Sequence, residues 1–335
     1  MFSEKIEKAF GLMEQSIALL KKSLDTSFFD AYIENGENIS DDYQVRILDD
    51  TPDHQTVHQL ETIYQELKAL ELSPEEIRRL SQLILLKGSK VEALQANHQL
   101  TPDSIGFLFV FLIEQLYAKN QKLTILDIAS GMGNLLLTVV LNTQMAGYDV
   151  QGFGVDIDDT LLAISATNNE WTNASIRLFH QDGLQDLLID PVDTVVSDLP
   201  IGFYPKDEKA QQFDSAAANG HSYAHHLLME QAMKFVKPEG YGLFLVPTDL
   251  LETDQSIFFK QWLQKKVYLQ GLIQLPDELF ASSHSRKSIL LIQNRGEQSE
   301  QAKEVLVAKL GSLKDPAKVT QFFQQFEAWK SSNLK

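Results

Sequence analysis

With 335 residues, 44% of them hydrophobic, the chain is long enough to bury a large core and to hold two domains. It has no cysteine, which excludes a disulfide framework and a thiolate metal site and fits a reducing compartment such as the cytoplasm. The formal net charge of −17 argues against a chain that holds duplex DNA unaided, because such proteins present a basic surface. With no apolar run of spanning length and no signal-peptide pattern, we expect no membrane association.

Residues 1–97 are predicted to form a small helical domain. Apolar residues recur every three or four positions between Ile6 and Leu24, and again within Thr51–Leu70, as expected for amphipathic helices. Glu34–Asp42 is predicted to be a polar break, and Ser73-Pro74 to cap and start a further helix. We expect this domain to be a scaffold or lid on the rest of the chain; the alternative is a surface for a protein partner or a homodimer.

Residues 98–335 are predicted to form a second, α/β domain. It opens with Thr101-Pro102, which is typical of a helix start. The central feature follows: a strand ends at Asp127, a turn of small residues runs through Ala129 to Gly133, and a helix begins near Asn134. Glycine tolerates positive φ and lets a ligand approach the backbone, and the helix directs free N–H groups at the same place. A tight turn without a ligand is the alternative.

Acidic residues end or follow the next three predicted strands. Asp156 closes Val150–Val155, Asp182 follows Ala174–Phe179, and Asp198 follows Asp193–Ser197. Ligands of open α/β sheets bind at this carboxyl edge, where Asp156 has the position of an acid that accepts hydrogen bonds from a ribose diol. Asp182 is placed to accept from an adenine amine. Leu136 occupies the third glycine position of the dinucleotide pattern, so we do not expect a hydride-transfer enzyme.

These motifs, in this order, resemble class I S-adenosylmethionine-dependent methyltransferases. The segments Gln99–Pro102, Asp198-Leu199-Pro200-Ile201, Leu275–Phe280 and Ser288–Gln293 narrow the resemblance to adenine-specific DNA methyltransferases, especially modification subunits of type I restriction systems. The resemblance implies S-adenosyl-L-methionine as cofactor, held by Thr101, Asp127, Ala129, Gly131, Gly133, Asn134, Asp156, Ile157, Asp182 and Gly183. It also implies a Rossmann-like methyltransferase fold: a mixed seven-stranded sheet with an antiparallel last strand. Leu269–Gln274 and Ser288–Gln293 are predicted to form an antiparallel edge hairpin.

The resemblance also implies a catalytic motif. In this family an Asn or Asp side chain and the next carbonyl accept hydrogen bonds from the acceptor amine, and a terminal aromatic residue stacks on a flipped base. Carried over, Asp198 and the Leu199 carbonyl are the acceptors, and Pro200 shapes the turn. The chain departs from the pattern at Leu199, where the family has proline, and at Ile201, where it has an aromatic residue. Phe203 or Tyr204 is a hypothetical replacement for that ring in substrate binding.

The sequence also allows predictions for four segments outside these motifs. Tyr204–Gly220 is predicted to be a lid or substrate loop, with a mobile surface insertion as the alternative. His221, His225 and His226 are predicted to be helix-surface residues rather than metal ligands, and we expect no metal. Arg286-Lys287 is predicted to lie in a solvated hairpin turn, although it could meet phosphate. The aromatic residues of the C-terminal helix are predicted to make core or docking contacts.

The sequence therefore predicts an S-adenosylmethionine-dependent N-methyltransferase acting on an exocyclic amine, with adenine in DNA as first expectation. DNA binding is disfavoured by the acidic charge. A protein-amide or RNA N-methyltransferase is one alternative. Another is a cofactor-binding regulatory protein that has lost catalysis.

Overall fold

The protein was analysed as a computed structural model, which describes residues 4–92, 98–119, 121–280, 282 and 285–334. The N-terminal region contains four helices: α1 (Glu4–Leu24), α2 (Phe28–Ser40), α3 (His54–Lys68) and α4 (Pro74–Val91). Helices α2, α3 and α4 each begin with a side-chain cap, from Ser27, Asp53 and Ser73 respectively. The predicted domain boundary near residue 97 falls outside the described residues.

The remainder is built on one eight-stranded sheet. Its strands are β1 (Lys122–Asp127), β2 (Asp149–Asp156), β3 (Ile176–His180), β4 (Val192–Asp198), β5 (Val236–Pro247), β6 (Val267–Gln274), β7 (Lys287–Asn294) and β8 (Leu306–Lys309). The order across the sheet is β3-β2-β1-β4-β5-β7-β6-β8. All neighbouring pairs are parallel except the two that β7 makes with β5 and β6. The predicted Rossmann-like fold with an N-terminal helical domain is confirmed.

Two details of the predicted sheet are wrong. The sheet has eight strands rather than seven, because the short strand β8 extends it beyond β6. The predicted antiparallel pair exists, but β7 lies inside the sheet between β5 and β6, and β8 forms the edge. A buried central position explains why every residue from Ser288 to Gln293 is buried, in a strand that shows no alternation.

Helices cover both faces of the sheet. They are α5 (Asp103–Leu116), α6 (Asn134–Met145), α7 (Asp159–Thr172), α8 (Asp207–Ala210), α9 (Ala224–Lys234), α10 (Ser256–Lys266) and α11 (Pro316–Asn333). Successive strand residues point to opposite faces, so Leu243 joins the core under α5, α6 and α11, whereas Phe244 joins the core under α9 and α10. The predicted core role of the C-terminal aromatic residues is confirmed, since Phe322 and Phe326 are buried and the Phe323 ring stacks on Phe111.

The predicted polar break at Glu34–Asp42 is also wrong, because most of it belongs to α2. Two of its polar residues, Asn35 and Asn38, face inward: Asn38 donates to the Tyr64 hydroxyl, which donates to Asn35. Gly36 lies against Thr167 of α7, where a Cβ would come within 2.0 Å of a methyl carbon. These buried polar side chains are satisfied by each other, so their polarity does not expose the segment.

The helical domain packs directly against the α/β domain. Its apolar core includes Met132 from the turn after β1 and Leu161 and Ile164 from α7. The buried Tyr32 hydroxyl donates a hydrogen bond to Asn168 of α7. The helical domain therefore packs against Met132 of the β1 turn and, through α2 and α4, against α7. No described helix combines the length and the apolar content that crossing a membrane demands.

Candidate cofactor and acceptor site

The turn between β1 and α6 contains two glycines with left-handed backbone conformations. Gly131 has φ +51° and Gly133 has φ +76°. A Cβ on Gly133 would lie 2.1 Å from Ser165 Oγ, so this glycine allows the turn to pack against α7. A Cβ on Gly131 would meet nothing within 4 Å. Gly131 therefore leaves open space beside the N-terminus of α6, where backbone N–H groups favour an electron-rich ligand.

Asp127, at the end of β1, is almost fully buried beneath this turn. Its Oδ1 accepts hydrogen bonds from Ser197 Oγ at 2.6 Å and from the Ala129 amide at 3.2 Å. Burial raises the pKa of Asp127 to about 7, and the charges of Asp156 and Asp198 act in the same direction. Asp127 therefore fastens the turn to β4.

Asp156 and Ile157 lie at the end of β2, next to the turn. The Asp156 carboxylate accepts from the Gly131 amide at 2.6 Å and from the Asp158 amide at 2.9 Å. Ile157 is 62% exposed. A carboxylate beside an exposed apolar side chain can bind a polar sugar edge and pack against an adjoining ring.

Asp182 and Gly183 follow β3 on the same edge. Asp182 accepts from the Leu184 amide at 3.0 Å and from the Tyr204 hydroxyl at 2.7 Å, and Lys206 Nζ lies 3.7 Å away. Burial is the main reason that the pKa of Tyr204 lies well above its ordinary value, and the hydrogen bond to Asp182 adds to it. Tyr204 belongs to the loop after β4, so its hydrogen bond with Asp182 connects that loop to the segment that follows β3.

Asp198, the last residue of β4, receives hydrogen bonds on both carboxylate oxygens. Thr101 Oγ1 donates to one at 2.9 Å, and Lys287 Nζ donates to the other. Thr101 is itself paired with Asn134: its amide donates to Asn134 Oδ1 at 3.3 Å, and Asn134 Nδ2 donates to its carbonyl at 2.7 Å. The Thr101 segment, the start of α6 and the end of β4 thus form one hydrogen-bonded unit.

Lys287 is the functional candidate that sequence reasoning missed. It was predicted to lie in a solvated turn, but it is the first residue of β7 and its side chain is only 20% exposed. β7 pairs with β5, which pairs with β4, and this places Lys287 near Asp198. The only sign of Lys287 in the local sequence is a lysine that begins an apolar strand, and this does not indicate that its partner is Asp198.

The apolar and aromatic residues between positions 199 and 204 differ in their surroundings. Leu199 is buried and its amide donates to the Leu245 carbonyl of β5. Ile201 is 37% exposed and Phe203 is 58% exposed. The Phe203 ring stacks on Tyr223, with centroids 4.8 Å apart and an interplanar angle of 10°. Tyr204 is buried with its hydroxyl on Asp182, so Phe203 is the aromatic side chain of this segment that is open to solvent.

The predicted surface location of the α9 histidines is wrong. His225 and His226 are both buried, and their rings lie in a series of aromatic contacts from Tyr223 to Phe259. Burial lowers the pKa of His225 to about 4 and that of His226 to about 3. Across the described ranges, no group of three or more His, Asp or Glu side chains could hold a metal ion. Polarity alone misled the prediction, because it does not distinguish an exposed imidazole from one stacked in a core.

The structure brings most of the predicted site residues together. Thr101, Asn134 and Asp198 share hydrogen bonds, as do Gly131 and Asp156, and Asp127 lies beneath them. Gly183 closely approaches the backbone after Asp127, because a Cβ there would lie 2.8 Å from the Ile128 carbonyl oxygen. Asp127, Asp156 and Asp198 end β1, β2 and β4, and Gly183 follows β3, so these residues share one edge of the sheet, to which the hydrogen bonds of Thr101 and Asn134 connect.

Comparisons with known proteins agree with this geometry. The model of the family described as N-6 DNA methylase matches residues 82–327, and the model of the YtxK N-terminal helical domain matches residues 7–89. The chain is 37% identical to the YtxK protein of Bacillus subtilis over 331 residues, 98% of each chain. It is 38% identical to a Listeria monocytogenes protein described as a candidate class I S-adenosylmethionine-dependent methyltransferase, with a TM-score of 0.89 over 97% of this chain and 99% of that one.

More distant solved structures share the fold. The methyltransferase subunit of a type I restriction-modification system from Streptococcus thermophilus is 14% identical, with a TM-score of 0.65 over 93% of this chain and 73% of that one. At this identity the similarity concerns the fold alone. The match of the family model to well over half of the residues shows that the chain belongs to the N-6 DNA methylase family of methyltransferases.

Proposed function

We propose that this chain is an S-adenosylmethionine-dependent methyltransferase that methylates an exocyclic or amide nitrogen through Asp198. The observation that carries the proposal is the hydrogen-bonded unit of Asp198, Thr101 and Asn134 beside the open turn at Gly131. In this arrangement a carboxylate acceptor would lie next to a position where a nucleoside could approach the backbone. Asp156 and Ile157 would hold its ribose, and Asp182 and Gly183 its base.

The bound cofactor would supply an electrophilic methyl group on a sulfonium with a good leaving group. The chain then has to hold and orient a weakly nucleophilic nitrogen. Asp198 would accept a hydrogen bond from that nitrogen, with the Leu199 carbonyl beside it, which aligns the lone pair and increases electron density on nitrogen. Alignment of this kind supplies much of the rate in such transfers. The proton released from nitrogen would pass first to the Asp198 carboxylate.

We favour a flat heteroaromatic amine, such as adenine, as acceptor. Phe203 lies five residues after Asp198 with its ring more than half exposed, and Tyr223 holds that ring in place from one side. Stacking of a base on such a ring contributes about 1–3 kcal/mol. Ile201 has no ring that could stack on a base. Of the two nearby aromatic residues, Phe203 rather than Tyr204 is therefore proposed as the stacking residue.

The net charge of −17 makes stand-alone binding of DNA unfavourable. We therefore propose that a protein partner, or a second copy joined through the N-terminal helices, takes part if DNA is the acceptor. Methylation of protein or RNA is the second candidate, favoured by the same charge. A cytoplasmic location belongs to this proposal because the chain has no cysteine.

Two measurements test the proposal. Calorimetry with S-adenosylmethionine and S-adenosylhomocysteine should show binding of both, and absence of binding would overturn the cofactor assignment. Tritiated methyl transfer to DNA, RNA and cell extract should occur and should be abolished by D198A. Transfer that survives D198A would overturn the mechanism, whereas binding without transfer to any acceptor would favour a regulatory protein. F203A should weaken use of a nucleic-acid acceptor and leave cofactor affinity unchanged.

A further inference from the structure

Arg78 is a buried cation of the N-terminal helical domain that contacts the segments next to the proposed cofactor residues. It lies on α4 and is only 2% exposed. Its Nε and Nη2 donate to the two oxygens of Glu75 at 2.7 and 2.8 Å. Its Nη1 and Nη2 donate to the two oxygens of Asp103 at 2.8 and 3.1 Å, and Nη1 also donates to Thr138 Oγ1 at 3.1 Å. One guanidinium thus joins α4 to α5 and α6.

The residues that Arg78 contacts are adjacent to the pocket residues. Asp103 begins α5 directly after Thr101-Pro102. Thr138 lies one turn after Asn134 and donates to the Asn134 carbonyl at 2.7 Å. Gln82, one turn further along α4, accepts from Arg78 at 3.3 Å. Arg78 therefore fixes the distance between the two segments whose Thr101 and Asn134 side chains organise Asp198.

A second, independent contact leads to the same pocket. Met132, in the turn between Gly131 and Gly133, is 4% exposed and packs in the apolar core of the helical domain. The helical domain thus contacts the glycine turn by apolar packing at Met132, and the N-terminal parts of α5 and α6 through Arg78.

The buried ion pairs make this connection rigid. Although burial acts to raise the pKa of Glu75, its pairing with Arg78 and Arg79 lowers it. Two bidentate carboxylate contacts hold a planar guanidinium in one orientation, which a lysine cannot reproduce. The Glu75 contact lies within α4 and orients the guanidinium, so a shift of α4 would break the contacts with Asp103 and Thr138.

We infer that Arg78 is a positioning residue for cofactor binding and that the helical domain forms an integral wall of the cofactor pocket. This inference rests on the proposed function, because it concerns the same pocket. By linkage, a ligand that binds the assembled pocket also stabilises the packing of α4 against α5 and α6. A partner that moved α4 would change cofactor affinity.

The test compares R78K with R79M. Arg79 contacts the same Glu75 carboxylate but is half exposed and has no contact with α5 or α6 among the described residues, so R79M is the matched control. Circular dichroism first fixes a temperature at which wild type and variants are folded. Calorimetry then measures the Kd for S-adenosylhomocysteine. We expect R78K to weaken binding by about 2- to 30-fold, the usual range for coupling through a packed network, and R79M to change it less than twofold.

A second variant keeps the test decisive if R78K does not fold. T138V removes one Arg78 contact with little change in side-chain shape and leaves both ion pairs intact, and it too should weaken S-adenosylhomocysteine binding. Hydrogen exchange at residues 101–106 and 131–138 should show less ligand-induced protection in either variant. Wild-type affinity in a folded R78K, or in T138V when R78K is unfolded, would overturn the inference. Failure of the wild type to bind the ligand would instead overturn the proposed function.

Discussion

Lys287 and Asp198 form an ion pair at the carboxyl edge of the sheet, although 89 positions separate them in the sequence. Asp198 pairs with Leu245 across β4 and β5, and Lys287 pairs with Pro247 across β5 and β7. The side chains are 20% and 19% exposed, so most of each charge is withdrawn from water. The proposed acceptor carboxylate therefore has a counter-ion from the one antiparallel strand of the described sheet.

This ion pair should be detectable as a coupling energy. K287M should lower the free energy of unfolding by about 1–3 kcal/mol, somewhat less than the loss of one partner of a fully buried pair. The double variant K287M/D198N should lose less than the sum of the two single variants, because each single variant leaves the other partner uncompensated. Urea denaturation of the four proteins measures the cycle.

Lys309 and Asp277 provide the comparison for this cycle. Their charged atoms are 4.0 Å apart and their side chains are 63% and 44% exposed, so K309M should change stability by no more than about 0.5 kcal/mol. Additive effects of K287M and D198N, within about 0.5 kcal/mol, would show that the pair contributes no mutual stabilisation.

The two glycines after β1 should respond differently to alanine. Both have positive φ, so each alanine variant should lose about 1 kcal/mol or more of stability. G133A should be the more damaging for folding, because its methyl group would collide with Ser165. G131A has open space around the methyl group and should fold, but that space is where the cofactor is proposed to approach.

Thermal unfolding and calorimetry with S-adenosylhomocysteine separate the two effects. G131A should lose affinity by more than its modest loss of stability suggests, and G133A should lose mainly stability. Equal affinity of G131A and wild type would argue against ligand approach at this turn.

Asp127 should give the protein a pH-dependent stability that D127N lacks. Its pKa is raised to about 7 in the folded state, above the ordinary value of 3.8. Between these values the folded protein holds a proton that the unfolded chain releases, so stability falls as pH rises. Above about pH 7 Asp127 is ionised in both the folded and the unfolded state, so its destabilising effect no longer changes with pH. The stability of wild type relative to D127N should therefore fall by up to about 1.4 kcal/mol per pH unit between pH 4 and 7.

Denaturation at pH 5, 6, 7 and 8 measures this difference. D149N, which changes an exposed carboxylate at the start of β2, should keep the wild-type pH profile. A constant difference between wild type and D127N across this range would contradict a protonated Asp127 in the folded state.

His226 should make stability depend on pH in the opposite direction to Asp127, and in a lower pH range. It is fully buried, and neither ring nitrogen has a hydrogen-bond partner within the described residues. Its pKa is lowered to about 3, below the ordinary value of 6.5, so on acidification the unfolded chain takes up a proton that the folded protein does not. Stability should therefore fall as pH drops from about 6.5 towards 3. H226F keeps a ring stacked on Phe259 and should lose less stability than wild type over this interval.

Unfolding free energies at pH 4.5, 5.5 and 7 test this expectation. H58Q is the control, because the His58 side chain is 85% exposed. If H226F and wild type lose equal stability between pH 7 and 4.5, the buried imidazole does not limit acid stability.

Several features of the site could be predicted because they depend on local sequence. The strand, glycine turn and helix around Gly131 are contiguous, and the acids at positions 156 and 198 directly end strands. Parallel strands align their carboxyl ends at one edge, so a local pattern was enough to predict a shared site. Most of the helices were predictable from the spacing of apolar residues, which follows the helical repeat, but α2 was not.

The errors concern residues whose environment depends on distant partners. The polarity of Asn35 and Asn38 predicts a break in the helix, but Tyr64 pairs with both side chains inside the core. His225 and His226 were placed on the surface because they are polar, whereas packing against Tyr223 and Phe259 buries them. Strand β8 has only four residues, too few to show a period.

The sequence by itself determined most of the helices and strands, the glycine turn and the acids that border it, because each depends on neighbouring residues. Only the tertiary structure decided that Lys287 faces Asp198 and that Arg78 links the helical domain to the pocket. Those contacts are formed by sheet pairing and helix packing between segments far apart in the chain, and the free energy of burying a charge depends on partners that local patterns do not specify.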